Sequence, residues 1–196
     1  MTLRLCLDVN VWVSYYLSIA RGRGTGTAAG GVADIVFRGA SPFGPVQLIV
    51  SHAMLDTLAF VLRRMPVTEP FADMAHDQIS AVAGAGYLAR PPAIVLGGTA
   101  ANPVLDQEDA AVLNAAMAGG ADLFVTLNID DFIRGSRART TTHVLSRREG
   151  KPDVFRLDHP RCPSGLIVAT PARVASWLVH GEVPPPAVMA RLGARD

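Results

Sequence analysis

LDQEDAAVLNAAMAGGADLFVTLNIDDF, residues 105–132, is the stretch that decides the fold. Asp106, Glu108 and Asp109 stand in front of an Ala-rich segment in which Val112, Leu113, Ala116 and Met117 recur at i, i+1, i+4 and i+5, one stripe of a 3.6-residue period. Gly119 and Gly120 end that helix in the usual C-terminal position. Leu123 to Leu127 (LFVTL) is a short apolar run bounded by a turn, which predicts a buried strand. Asn128, Asp130 and Asp131 follow at once. Carboxylates therefore gather at both ends of one helix–strand unit. In an open parallel sheet, residues just past the C-terminal ends of the strands converge on one crevice. The question is which other strands deliver acids there.

Working outward, Leu3 to Leu7 is a strand-length run that ends on Asp8, and helical spacing follows with Asn10 as a candidate N-cap. An acid where a strand gives way to a helix faces the helix dipole, which favours its ionised form. By itself Asp8 reads equally as a helix cap. Val46 to Val50 predicts a second strand, and Ser51 caps a helix running to about Arg64, with Met54, Leu55, Leu58, Val61 and Leu62 on its buried face. Asp56 lies about a turn into that helix, where a solvated acid is also a common arrangement. Ala93 to Leu96 and residues 166–169 supply further strands, and ARVASWL a final amphipathic helix. Strands at 3–7, 46–50, 93–96, 123–127 and 166–169 alternate with helices. That order implies a parallel five-stranded sheet with helices on both faces, an α/β domain over residues 1–180. Residues 181–196 form a Pro-rich, peripheral tail.

Composition bounds the function. At 196 residues the chain is one domain of ordinary size, and 49% apolar residues exclude disorder. A net charge of +1 excludes a globally basic coating protein but not a local basic face. Lys151 stands alone against seventeen arginines, which removes lysine chemistry almost everywhere. Two cysteines with no CxxC or zinc-like spacing give neither a disulfide framework nor a zinc site. No signal-peptide pattern and no apolar run long enough for a bilayer is present, so the chain reads as soluble and cytoplasmic, with no membrane partner. The glycine-rich RGRGTGTAAGG (21–31) follows a helix rather than a strand and lacks a P-loop ending, so it reads mainly as a linker. The segment 134–161 is the most basic, with eight Arg/Lys against three Asp/Glu. It reads either as a solvated loop or as a cationic surface for a phosphate backbone.

LCLDVNVWVS, VSHAMLDTLAFVLRR, the opening stretch and GLIVATPARVASWL together resemble the four blocks of a PIN domain, in order and across nearly the whole chain. They are similar above all to small bacterial PIN proteins, including the VapC-like toxins of toxin–antitoxin pairs. The resemblance implies a three-layer α/β/α nuclease fold whose acids bind Mg²⁺ or Mn²⁺. It implies a metal-dependent endoribonuclease that hydrolyses RNA phosphodiesters by metal-activated water, leaving a 5′-phosphate and a 3′-hydroxyl. Carried over by position, the metal and catalytic residues are Asp8, Asp56, Asp109 and Asp131, with Asn128 as a further ligand. Asn10, Asp106, Thr126 and Asp130 support them; the charge of the segment 134–161, rather than any family motif, makes Arg134, Arg137, Arg147 and Arg148 the candidate RNA contacts. Two departures weaken the ligand set. Asp56 stands where the family usually has glutamate and reaches roughly 1.5 Å less far. Asn128 stands where an acid is usual and offers a carbonyl without charge. The partners implied are RNA, an antitoxin protein and a second copy of the chain.

The chemistry suits these residue types. Hard divalent ions take carboxylate oxygens, and clustered carboxylates repel one another without a cation. A haloacid-dehalogenase-like phosphatase would need an acid at position 10 and a lysine before the Asp130–Asp131 pair, and has neither. A dinucleotide-binding fold would need its glycines directly after the first strand. The competing reading from another class is a PIN fold with weakened catalysis that binds RNA or protein.

Overall fold

The computed structural model describes residues 2–85, 94–95, 107–135 and 140–193; Asp106 and Arg137 lie outside them. The chain runs β1 (Leu3–Leu7), α1 (Val9–Ala20), α2 (Ala28–Arg38), β2 (Ala40–Ser41), β3 (Gly44–Ser51), α3 (His52–Arg64) and α4 (Ala72–Ala85). It continues through β4 (Ile94–Val95), α5 (Gln107–Ala118), β5 (Leu123–Val125), α6 (Ile129–Arg134), β6 (Thr141–Arg148), β7 (Lys151–His159), β8 (Cys162–Ala169), α7 (Pro171–Leu178) and α8 (Pro186–Gly193).

Among the described residues the sheet has eight strands in the order β2-β3-β1-β5-β8-β7-β6, with β4 beside β3. The five expected strands are all present and mutually parallel, as β4-β3-β1-β5-β8. Helices before and after them make the three-layer α/β architecture. Every residue of β1 and β5 is buried, as strands covered on both faces require. At Arg4 the backbone N–H donates to the buried Asp122 carboxylate (2.9 Å), and the Asp122 N–H donates to the Arg4 carbonyl (2.8 Å), which ties β1 to the turn before β5. The expected helical stripe of Val112, Leu113, Ala116 and Met117 is buried. At its end Gly119 lies so close to β3 that a Cβ there would stand 2.2 Å from Ile49 Cγ2. Glycine is needed at 119 for this close approach, while the left-handed residue that ends the helix is Gly120 (φ 63°).

The structure adds three features to this outline. The sheet carries three further strands: a two-residue β2 and the antiparallel pair β6–β7, which extends it beyond β8. Most of the basic segment 134–161 is therefore sheet, not loop. Ala28 to Gly31, within the glycine-rich stretch, is the first turn of α2, capped by Thr27, whose hydroxyl accepts from the Gly30 N–H (3.1 Å). The tail at 181–196 is also less peripheral than its prolines suggest, because it forms α8 and buries Val188 completely. No helix among the described residues is long and apolar enough to cross a membrane.

Candidate active site

The chain leaves β1 through α1 and α2 to reach β3 on one side, then returns to place β5 on the other. The order thus reverses at the β1–β5 pair, where open parallel sheets carry their crevices. A cleft of about 400 Å³ opens there, lined by Asp8, Asn10, Ser51, Thr57, Glu108, Asp109 and Asn128 on its polar side. Val9, Val13, Met54, Val61 and Val112 line the apolar side.

Asp8 is its fixed point. It is one residue past β1, 6% exposed, and its N–H donates to the Val125 carbonyl of β5 (2.9 Å). Asn10 Nδ2 and Thr126 Oγ1 both donate to Asp8 Oδ2, each at 2.7 Å. Thr126 Oγ1 in turn accepts from Asn10 Nδ2 (3.2 Å) and from the Asn128 N–H (3.0 Å), and Asn10 Oδ1 accepts from the Leu127 N–H (3.1 Å). The network ties the start of α1 to the turn after β5. Burial pushes the Asp8 carboxyl above its ordinary 3.8, and the donors Thr126, Val9 and Asn10 pull it partly back. Asp8, rather than Asn10, occupies the N-cap position of α1. Asn10 serves instead as the bracket of the network.

Asp109 and Glu108 enter from the first turn of α5. Asp109 is half-buried, while Glu108 and Asn128 are exposed. Glu108 was not among the residues singled out by motif, although its place beside Asp109 could have suggested it. Thr57 was also missed. Ala53, Met54, Thr57 and Val61 recur at helical spacing along the face of α3 that lines the cleft.

That same spacing carries Asp56 elsewhere. It lies one position, about 100°, around the helix from Thr57 and lines a second cleft with Ala59, Arg63, Asp73, His76 and Asp77. Asp56 therefore does not join the Asp8 cleft. Asp130 and Asp131 stand in the first turn of α6 and do not line the cleft either. Asp131 is exposed, and Asp130 pairs with Arg134 at 3.5 Å. Arg147 and Arg148 are exposed at the end of β6, with Arg147 Nη1 donating to the Gly150 carbonyl (3.3 Å).

The donor set in the cleft is all oxygen: carboxylates of Asp8, Glu108 and Asp109, the Asn128 amide and the hydroxyls of Ser51 and Thr57. Such a set suits a hard divalent cation and not a soft metal. Among the described residues, no three acidic, His or Cys side chains stand together closely enough to cage an ion. The fit is to a hydrated ion held through one or two carboxylates, the usual habit of Mg²⁺.

The model of one protein family, the PIN domain, matches residues 4–130. No curated protein and no solved structure gives a significant match.

Proposed function

This chain belongs to the PIN-domain family, and from that premise we propose that it is a metal-dependent endoribonuclease, the toxin of a toxin–antitoxin pair. PIN domains are in general nucleases. The observation that carries the finer reading is Asp8: a buried carboxylate fixed by two donors, facing a cleft that Asp109 and Glu108 share. A carboxylate kept in so costly a place, and held in one orientation, suits a cation ligand.

In this reading Asp8 and Asp109 hold Mg²⁺ or Mn²⁺, with Asn128 and Glu108 as further donors directly or through water. Asp106, next in sequence to α5, is a supporting acid. When bound, the ion lowers the pKa of water and neutralises charge developing on the scissile phosphate. The chain's own work is orientation. Thr126 and Asn10 fix the Asp8 carboxylate, and the head of α5 presents Asp109 and Glu108 across the cleft. The apolar wall of Val9, Val13, Met54, Val61 and Val112 restricts water around the reacting phosphate.

The toxin assignment rests on the resemblance of the four sequence blocks to small bacterial PIN proteins, and it places the enzyme in the cytoplasm. An antitoxin segment with apolar side chains and an arginine would match both walls of the cleft. A homodimer follows from the same resemblance. Growth arrest on expression, relieved by Asp8→Asn, tests the toxin role.

One observation favours a second reading, a PIN fold that binds RNA or protein without efficient cleavage. Thr57 and Asn128 bring neutral side chains to the cleft, leaving the described residues short of a three-acid cage. The deciding experiment is cleavage of a structured RNA with Mn²⁺ or Mg²⁺, beside calorimetric titration of Mn²⁺ into wild type, Asp8→Asn and Asp109→Asn. Cleavage lost in both variants supports the nuclease. RNA binding with neither cleavage nor metal uptake moves the assignment to the binding module.

A further inference from the structure

The β6–β7 hairpin lies beyond the span of the family match, residues 4–130, and its tip is built unlike the rest of the sheet. Arg148 pairs with Lys151 across a two-residue turn, Glu149–Gly150, in which both residues have positive φ (53° and 80°). That is the backbone a type I′ hairpin turn demands. Arg147, Arg148 and Lys151 are all exposed, and among the described residues none has a carboxylate partner. Other cations of the hairpin are spent: Arg156 pairs with Asp158 (2.7 Å), which also faces His143 (3.5 Å). The base of the tip is clamped. Arg173 of α7 donates to the buried Asp153 of β7 (2.5 Å) and to Ser146 of β6 (3.1 Å). Register shifts on either side of Ser146 bend the strand just before the arginines.

Strand register places this tip relative to Asp8. Val125 of β5 pairs with Ala169 of β8, and Ala169 with Val154 of β7. Lys151 thus stands three residues, about 10 Å, beyond the C-terminal edge of the parallel strands. Asp8 emerges one residue beyond the same edge, because Leu7 pairs with Val125. From β1 across β5 and β8 to β7, which carries Lys151, is three strand spacings, and to β6, which carries Arg147 and Arg148, four, about 19 Å laterally. Between them α6 starts at the cleft residue Asn128 and packs against β7.

We propose that Arg147, Arg148 and Lys151 form a phosphate-binding subsite for an RNA strand that also passes the Asp8 cleft, engaging the backbone about six nucleotides from the scissile phosphate. The spacing follows from about 19 Å at roughly 3.4 Å per stacked nucleotide. The proposal rests on the ribonuclease reading and names what that reading leaves open, a minimum substrate length on one side of the cut. Exposed guanidinium groups without a carboxylate partner, on a clamped turn, suit phosphate, which they contact without sequence preference. The contacts release counterions, each reducing affinity by about 0.7 log unit per log unit of salt for a single strand.

The test uses the full chain carrying Asp8→Asn, so that RNA survives, with and without Arg147→Glu/Arg148→Glu. Binding of labelled single-stranded RNA of 3 and 20 nucleotides is read by fluorescence anisotropy across a salt series. Wild-type Asp8 protein is assayed in parallel for cleavage. The subsite requires at least about a tenfold affinity loss on the 20-nucleotide RNA and a salt slope shallower by about 1.4, with less than about twofold loss on the trinucleotide. Arg147→Gln/Arg148→Gln should give the same slope change with a smaller loss, and unchanged thermal melting would exclude misfolding. Equal affinities at both lengths in a protein that still cleaves RNA would overturn the subsite and leave the nuclease standing. Length-dependent loss without cleavage by the Asp8 protein would keep the subsite and remove the nuclease. Unchanged RNA affinity together with loss of a co-purified acidic protein would assign the tip to protein recognition instead.

Discussion

The cleft at the end of the central strands and the cleft between α3 and α4 share a helix, and carboxylates line both. The second, of about 530 Å³, holds Asp56, Asp73 and Asp77. Yet its acids are engaged at the surface. Asp73 pairs with Arg63, and Asp77 faces His76 at 3.5 Å, with the side chains of Asp73 and Asp77 86% and 87% exposed. Exposed pairs of this kind contribute little to stability. Asp8 is in the opposite position, desolvated, held by hydrogen bonds, and pushed above its ordinary pKa by burial. With three acids in each cleft, acid count does not separate them; burial with a fixed orientation does.

The largest effect should come from removing the buried acids. Asp8→Asn and Asp109→Asn are each expected to lower RNA cleavage at least about a hundredfold, since each removes a charge that the reading assigns to metal binding. Steady-state rates in Mn²⁺ check this, and near-normal turnover in either variant would end the comparison. Asp8→Asn should also raise stability of the metal-free protein at pH 7. The sign follows from the raised pKa: the folded state holds the proton more tightly than the unfolded one. The stability from this group is complete below about pH 3.8, is lost as pH rises through the raised folded value, and stays lost above it. Thermal melts of the two proteins at pH 7 and pH 3.5 read the difference, which should shrink at the lower pH.

Thr126→Val should come next. It removes the hydroxyl that donates to Asp8 and accepts from Asn10 and the Asn128 N–H. Loss of a buried bond to a charged group costs about 1.5–3 kcal/mol, readable by urea denaturation. It should also move the acid limb of the pH–rate profile to higher pH, because Thr126 is among the donors that favour ionised Asp8. An acid limb that stays put would show that Asp8 ionisation does not set the profile.

Thr57→Glu sharpens the contrast from the other direction. It places a third kind of entry point for charge in the Asp8 cleft, on the face of α3 that already lines it. Mn²⁺ affinity measured by calorimetry should rise by about tenfold, a modest gain because the longer side chain must displace cleft water and lie near other carboxylates.

How much of this was legible depended on which period had to be counted. Five parallel strands and the burial of Val112, Leu113, Ala116 and Met117 follow from local runs, and the structure contains them. Asp8 and Asp109 could be placed because each abuts a strand or helix end, where topology determines the direction. Asp56 could not, because α3 turns about 100° per residue. An error of one position on a helix exchanges a cleft residue for one on another face, and only packing distinguishes Asp56 from Thr57. The hairpin was hidden for a different reason. TTHVLSRR and KPDVFRLDH lack a clean alternation of apolar and polar residues, and β6 is an edge strand with little of its surface buried. Charge dominated the reading where pairing with β8 dominates the fold. The EG turn, rather than NG or DG, gave only a weak hairpin signal.

Asp56→Asn should have the smallest effect, and it tests the comparison most directly. Asp56 is exposed, one helical step from the site, and lines the cleft whose other acids face solvent. A neutral isostere there removes no buried partner, so stability should stay within about 0.5 kcal/mol and cleavage within about twofold. The adjacent change Thr57→Val carries the contrast at equal distance along the chain, altering a cleft-facing side chain while leaving every charge in place. If Asp56→Asn instead abolished cleavage while Thr57→Val did not, α3 would have to rotate by about a residue when RNA or metal binds. The carboxylate would then swing from the second cleft into the first, and the division between the two clefts would describe only the unliganded state.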